Sequence, residues 1–242
     1  MPEELNEIST SDNSNKTSLG LLILAGVVSY FLSRVTFVSY PFLLLSTWFH
    51  EMGHGLTCLF LGGNFLRLEL HETGSGLAFN NYSTLFFGNK IGSSLISFGG
   101  LIGPPIAGAT FIILGSKKWT ASICLYAFSF MVVISVLIWV SNLFGIGVLI
   151  AMSIVSCLIA WKGSILVKQF MVQFIGIQAV MSTFQRMDYL FTERVNIGGR
   201  MYTSDVGSIA ANLGMPYWFW GSIISFISVV LIGIAFKIAL KL

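Results

Sequence analysis

Long apolar runs alternate with short polar breaks along the chain, and that alternation predicts most of its architecture. Residues 1–18 are polar, with Glu3, Glu4, Glu7 and Asp12 among serines and asparagines, and are expected to form a short disordered tail. They lack the positive n-region and cleavage site of a signal peptide. A short apolar segment follows at 19–32, closed by Arg34, and a longer one at 38–61, stopped by Gly62-Gly63-Asn64 as helices often are. Further apolar runs cover 91–114, 119–140, 143–161, 165 to about 190, and 217 to about 239, with tryptophans and lysines near several of their ends. Helices of this length, at ~1.5 Å per residue, reach across a hydrocarbon core of ~30 Å. The expected fold is an all-α membrane protein, a polytopic bundle of six or seven transmembrane helices.

Some stretches depart from the simple pattern. From residue 65 the period becomes two: Leu66, Leu68 and Leu70 alternate with Arg67, Glu69 and His71. Thr73-Gly74-Ser75-Gly76 reads as a turn and Leu77-Ala78-Phe79 as a returning strand, so a short β-hairpin-like insert is expected there. Its edge would suit pairing with an extended substrate. The run at 91–114 contains Gly99-Gly100-Leu101-Ile102-Gly103-Pro104-Pro105. Its prolines are expected to break the hydrogen-bond ladder, and its small residues to admit a close neighbour. Gln169, Gln173 and Gln178 turn one face of their helix towards the bundle interior. In the polar stretch 192–215, Thr203-Ser204-Asp205 precedes a plausible short helix with a capping residue, and Gly214 and Pro216 separate it from the last span.

Composition settles the class. The chain is 55% hydrophobic and 10% charged, with a mean hydropathy of +0.84. Soluble domains run near a quarter charged, so this is an integral, multi-pass membrane protein, expected in the cell membrane. The lipid bilayer is its medium, and its small positive charge implies no nucleic-acid partner. Lysines and arginines divide almost evenly between the two sets of loops and leave orientation open. Oligomeric state is likewise unset. Cys58, Cys124 and Cys157 lie in apolar runs at irregular spacing, and read as small buried apolar residues outside any disulfide framework.

The chemistry sits in the run at 38–61. His50-Glu51-Met52-Gly53-His54 is an H-E-x-x-H pattern that uses two of the chain's three histidines. On a helix the two imidazoles share one face, one turn apart, where they can hold Zn²⁺, with Glu51 as general base towards a water on the metal. The rival reading is a histidine pair hydrogen-bonded inside a bundle. Three ionisable residues within five positions of a span are costly there, which favours a functional site. Cys58 continues the stripe but lies ~12 Å along the axis from His50, too far for one metal. A catalytic zinc usually takes three protein ligands. Candidates for the third are Asp205, Asp188, Glu193, Glu72 and His71, and Asp205 serves equally as a charge complementing a helix N-terminus.

These residues resemble a known family. His50-Glu51-Met52-Gly53-His54-Gly55, followed by Gly62-Gly63, resembles the H-E-x-G-H-x segment of site-2-protease-like intramembrane zinc metallopeptidases, closest to their compact branch without a PDZ domain. Gly100-Leu101-Ile102-Gly103-Pro104 is similar to that branch's glycine/proline helix. Ser204-Asp205-Val206, with Leu213-Gly214-Met215-Pro216 and Trp218 or Trp220, is similar to its C-terminal "S-D…T-G-x-P…W" segment. The wider family's "Asn-x-x-Pro…Leu-Asp-Gly" signature is absent: no proline lies between Asn196 and Asp205, and Val206-Gly207 follows. The resemblance implies one integral-membrane metallopeptidase domain over 19–242, with Zn²⁺ held by His50, His54 and Asp205 and with Glu51 catalytic. It implies a membrane-protein substrate, cut in or near a transmembrane segment. The alternatives are a non-peptidase membrane protein that keeps a metal site for binding or regulation, a metal-ion transporter, and a zincin of another family with Glu193 as third ligand. Transport would need further His, Asp or Glu along a path, and the other spans hold almost none.

Overall fold

A computed structural model describes residues 2–185, 187–197 and 200–240. Helix α1 (Pro2–Leu32) is followed by α2 (Thr36–Phe60), a hairpin of β1 (Asn64–Leu70) and β2 (Gly76–Asn81), then α3 (Asn89–Gly115), α4 (Lys118–Ile138), α5 (Leu143–Lys162) and α6 (Ile165–Gln185). The short α7 (Met187–Leu190) leads into a second hairpin, β3 (Arg194–Ile197) and β4 (Arg200–Thr203), and then α8 (Asp205–Leu213) and α9 (Tyr217–Leu240). This is the expected all-α polytopic membrane fold with a hairpin after the motif helix.

Its described span count is five or six, meeting the expected six or seven at six. Among the described residues, five helices, α3, α4, α5, α6 and α9, are each long and apolar enough to cross a membrane. A sixth arises only if Lys16–Leu32 and Phe37–Phe60, bent by 111°, form one broken span. The motif helix α2 therefore does not qualify alone: Ser46, Thr47, His50, Glu51, His54 and Thr57 dilute its apolar run. The helical backbone of α1 extends to Pro2. Extending a formed helix costs little per residue compared with nucleating one.

The predicted helix stop at Gly62-Gly63 takes a specific form. Gly62 adopts φ +85°, its N–H donates to Leu59 O at 3.1 Å, and the Gly63 N–H donates to Cys58 O at 2.9 Å. That pairing of carbonyls and left-handed glycine is a Schellman end. It turns the chain into β1, which runs antiparallel to β2 from Asn64↔Asn81 to Leu70↔Gly76. An irregularity between Phe65 and Arg67 shifts the alternation. Phe65, Leu68 and Leu70 are buried and Leu66 is exposed, so Phe65 takes the inward place that the plain period assigns to Leu66.

The other edge of β1 is occupied too. Leu68 N–H donates to Trp139 O at 2.8 Å and Ser141 N–H to Leu68 O at 3.0 Å. The Asn142 amide completes the row, accepting from Leu70 N–H at 3.1 Å and donating to Leu70 O at 2.5 Å. Among the described residues, the hairpin's open edge is that of β2. Beneath it, Trp48, Phe49, Phe111 and Phe128 form a ring cluster with centroids 5.0–6.3 Å apart. Each such pair contributes ~0.5–1.5 kcal/mol beyond its buried area.

Helix α3 is the spine of the bundle. It runs unbroken through Pro104 and Pro105, contrary to the expected break. Spanning helices tolerate proline where neighbouring helices take over the freed backbone groups, and α3 is packed against α2, α6, α8 and α9. Glycines make its contacts close: a Cβ on Gly53 would strike Gly99 O, and one on Gly103 would lie 2.7 Å from Phe49 O. In a bilayer such van der Waals approach, more than apolar burial, holds helices together. Gln169 and Gln173 face inward as expected, Gln169 donating to Ser116 O at 3.1 Å and Gln173 to Ser18 Oγ at 3.2 Å. Cys58 and Cys124 are buried thiols, whereas Cys157 is exposed on α5, which corrects the reading of all three as buried.

Candidate metal centre

The motif residues lie on α2 where it crosses α3. His54 is fixed first: its Nδ1 lies 2.8 Å from Ile96 O. A carbonyl only accepts, so Nδ1 carries a proton, and in the neutral ring that binds a metal Nε2 presents the lone pair. Its ring fits a notch over Gly100, where any Cβ would overlap the imidazole. One turn back, His50 presents its own Nε2, 3.1 Å from that of His54.

Asp205 arrives from the far end of the chain. Ser204 caps α8: its hydroxyl accepts from Gly207 N–H at 3.1 Å and donates to Thr192 O at 2.5 Å. Its backbone N–H donates to Glu193 O at 2.9 Å. Asp205 is thus the first helical residue, and its Oδ2 stands 3.2 Å from His50 Nε2 and 3.4 Å from His54 Nε2.

These three atoms form a nearly equilateral triangle, its sides 3.1, 3.2 and 3.4 Å. A tetrahedral ion with bonds of ~2.0–2.1 Å has ligand–ligand edges of ~3.3 Å. One such ion fits all three atoms and keeps its fourth position for another ligand. Two imidazoles and a carboxylate are donors that suit zinc. Of the five candidates for a third ligand, the fold brings only Asp205 to the histidines among the described residues. Asp188, Glu193 and Glu72 are exposed, and His71 sits half-buried at the end of β1.

Glu51 follows His50 on α2 and shares a cavity wall with it. It is buried, at 6% exposure, and lines a cavity of about 230 Å³ with His50, Gly76, Pro104, Thr183 and Tyr189. Gly76, at the start of β2, lies against it: a Cβ there would be 2.8 Å from Glu51 Cγ. Thr47 Oγ1 donates to Gly74 O at 2.7 Å and ties the hairpin turn to α2.

Tyr189 has no counterpart in the sequence reading. Its hydroxyl donates to Asp205 Oδ2 at 2.8 Å. Burial, and then the adjacent carboxylate, push the phenol well above its ordinary range, so it stays a neutral donor. No motif or periodicity marks a tyrosine at the end of the apolar run 165–190. Its neighbour Asp188 drew attention by charge alone, and the fold faces it outward.

A family model described as Peptidase M50B-like matches residues 23–235, which include the H-E-x-x-H pattern, the glycine/proline helix and Asp205. No curated protein and no solved structure matches the chain. The described residues hold two separate two-stranded sheets and no PDZ domain. With nearly the whole chain covered, and with five or six helices able to span a membrane, this integral multi-pass membrane protein belongs to the Peptidase M50B-like, site-2-protease-like family.

Proposed function

We propose that this protein is an intramembrane zinc metalloendopeptidase that hydrolyses peptide bonds in or near transmembrane segments of other membrane proteins. The observation that carries the reading is the triangle of His50, His54 and Asp205 ligand atoms, with Glu51 beside it in the cavity wall. When bound, zinc supplies a Lewis acid and lowers the pKa of a water at its open position.

The chain's own residues do the rest. Glu51 accepts a proton as the water's oxygen attacks the scissile carbonyl carbon. It returns that proton to the leaving nitrogen as the C–N bond breaks, leaving one new carboxylate and one new amine. A substrate helix hides its carbonyls in internal hydrogen bonds, so it must unwind locally to be cut. The open edge of β2 suits that task. An extended segment paired along Gly76–Asn81 would have its lost helical bonds replaced by strand bonds. Gly76 would bring the first of those pairs next to Glu51.

Zinc stoichiometry on detergent-purified protein, with cleavage of a reconstituted membrane-protein substrate, tests this. Wild type should hold about one zinc, the His50→Ala/His54→Ala double variant none, and Asp205→Ala should hold it weakly. Glu51→Gln should keep the zinc and lose cleavage. Zinc unchanged in Asp205→Ala moves the third ligand elsewhere. Cleavage unaffected in Glu51→Gln refutes the role of Glu51, and zinc bound without cleavage in wild type favours a metal-binding, non-peptidase protein.

A further inference from the structure

We propose that Tyr189 is a positioning residue of the metal centre, holding the Asp205 carboxylate in the orientation that closes the ligand triangle. The inference rests on reading that triangle as a metal site. The phenol oxygen touches Asp205 twice, donating to Oδ2 at 2.8 Å and lying 3.4 Å from its backbone N–H, which points at it. A single hydroxyl thus spans the backbone and side chain of one residue and restricts its rotamer. The oxygen it holds is the same Oδ2 that faces both imidazole nitrogens. Without that restraint, an aspartate at the start of a helix has competing choices: it can turn to the free N–H groups of the first turn or to water.

Tyr189 is itself held firmly enough for the task. Its ring meets the His50 ring edge to face, with centroids 6.1 Å apart at 83°. It packs on a buried cluster of Leu101, Leu190, Val206, Ile209 and Ile224. The segment that carries it is clamped to α8 by the two Ser204 bonds to Thr192 O and Glu193 O. A Cβ on Gly221 would strike Leu190 O, so α9 presses directly on α7. The phenol and the carboxylate therefore belong to one rigid unit, and the triangle closes when that unit docks on α2.

The test is zinc affinity, measured by competition with a chromophoric chelator on detergent-purified protein. Tyr189→Phe keeps the ring and its packing and removes only the donor. It should weaken zinc binding 10–100-fold, the usual loss for an outer-shell partner, while the metal-free protein still folds and melts cooperatively. The d–d spectrum of the Co²⁺-loaded variant should also shift, reporting altered coordination. In an Asp205→Ala background, Tyr189→Phe should weaken zinc no further, because the phenol acts through that carboxylate. Wild-type affinity in Tyr189→Phe, or an equal loss with Asp205 already removed, overturns the proposal. Failure of wild type itself to bind zinc overturns the underlying metal reading instead, so the two failures are separable.

Discussion

Gly100→Ala tests whether the metal centre depends on the way α2 lies on α3. Gly100 carries no chemistry, yet its missing side chain is where the His54 ring rests. The same ring is bonded through Nδ1 to Ile96 O, one turn earlier on α3, at 2.8 Å. An ordinary side-chain contact begins near 3.4 Å, and the new methyl would fall more than an ångström inside that limit against the ring. The ring cannot yield by sliding along α3 without giving up Ile96 O. Overpacking of this kind costs ~1–3 kcal/mol, and a lost buried hydrogen bond ~0.5–1.5 kcal/mol, so the destabilisation should be about 2–4 kcal/mol. The displaced Nε2 no longer completes a triangle with sides of 3.1–3.4 Å. Zinc affinity should then fall by at least about tenfold and up to about a hundredfold, the range seen when ligand orientation is lost. The assays are chelator competition for zinc and thermal melting in detergent. Gly147→Ala is the control, since nothing lies within 4 Å of the position its Cβ would take. Wild-type zinc affinity in Gly100→Ala would refute the claim that this notch sets the ligand geometry.

Two further outcomes follow from the same contacts. Gly76→Ala would place a methyl 2.7 Å from Thr47 Cγ2 and 2.8 Å from Glu51 Cγ. Cleavage should drop by about a hundredfold through misplacement of the base while zinc affinity holds, and a parallel loss of both would place Gly76 in the metal site instead. Among the cysteines, a lipid-soluble maleimide should label exposed Cys157 in the folded protein and leave buried Cys58 and Cys124 unmodified until denaturation. Labelling of Cys124 before Cys157 would contradict the packing of α4 and α5.

What the sequence made legible was whatever a local pattern encodes. Apolar runs located the helices, glycines the end of α2, a period of two the β1–β2 hairpin, and Ser204 the start of α8. The histidine pair and Glu51 were readable because one helix carries all three at fixed spacing. Features set by distant partners were hidden. The shift that turns Phe65 inward comes from the pairing of β1 with β2, and the continuity of α3 through two prolines from four neighbouring helices. The β3–β4 hairpin pairs Arg194–Ile197 with Arg200–Thr203, and the alternation of Arg194, Val195, Asn196 and Ile197 is too short to stand out in a polar segment. From its residues alone Asp205 is one of five candidate ligands; the family resemblance points to it, and the fold lays its carboxylate beside the imidazoles.

The two readings of Asp205, helix-start charge and metal ligand, turn out to be compatible for a physical reason. A carboxylate taken out of water near a bundle core needs compensation before any metal arrives. The first turn of α8 supplies part of it through the positive end of its dipole, and the Tyr189 hydroxyl supplies a direct donor at 2.8 Å. Neither occupies the whole of the carboxylate, so Oδ2 also faces the imidazole nitrogens. The histidines are compensated differently, with His54 anchored by a backbone carbonyl of α3. Each candidate ligand is therefore held by a different element, α2 on α3 for the imidazoles and α7 with α8 for the carboxylate. Closing the triangle requires that these two units dock correctly. Substitutions at the Gly53–Gly99–Gly100 contact should act mainly through His54, and those at Tyr189 through Asp205. A combined Gly100→Ala/Tyr189→Phe variant should thus lose more zinc affinity than either alone, with a departure from the product of the two separate losses, because Tyr189 also packs on Leu101 and on the His50 ring beside His54.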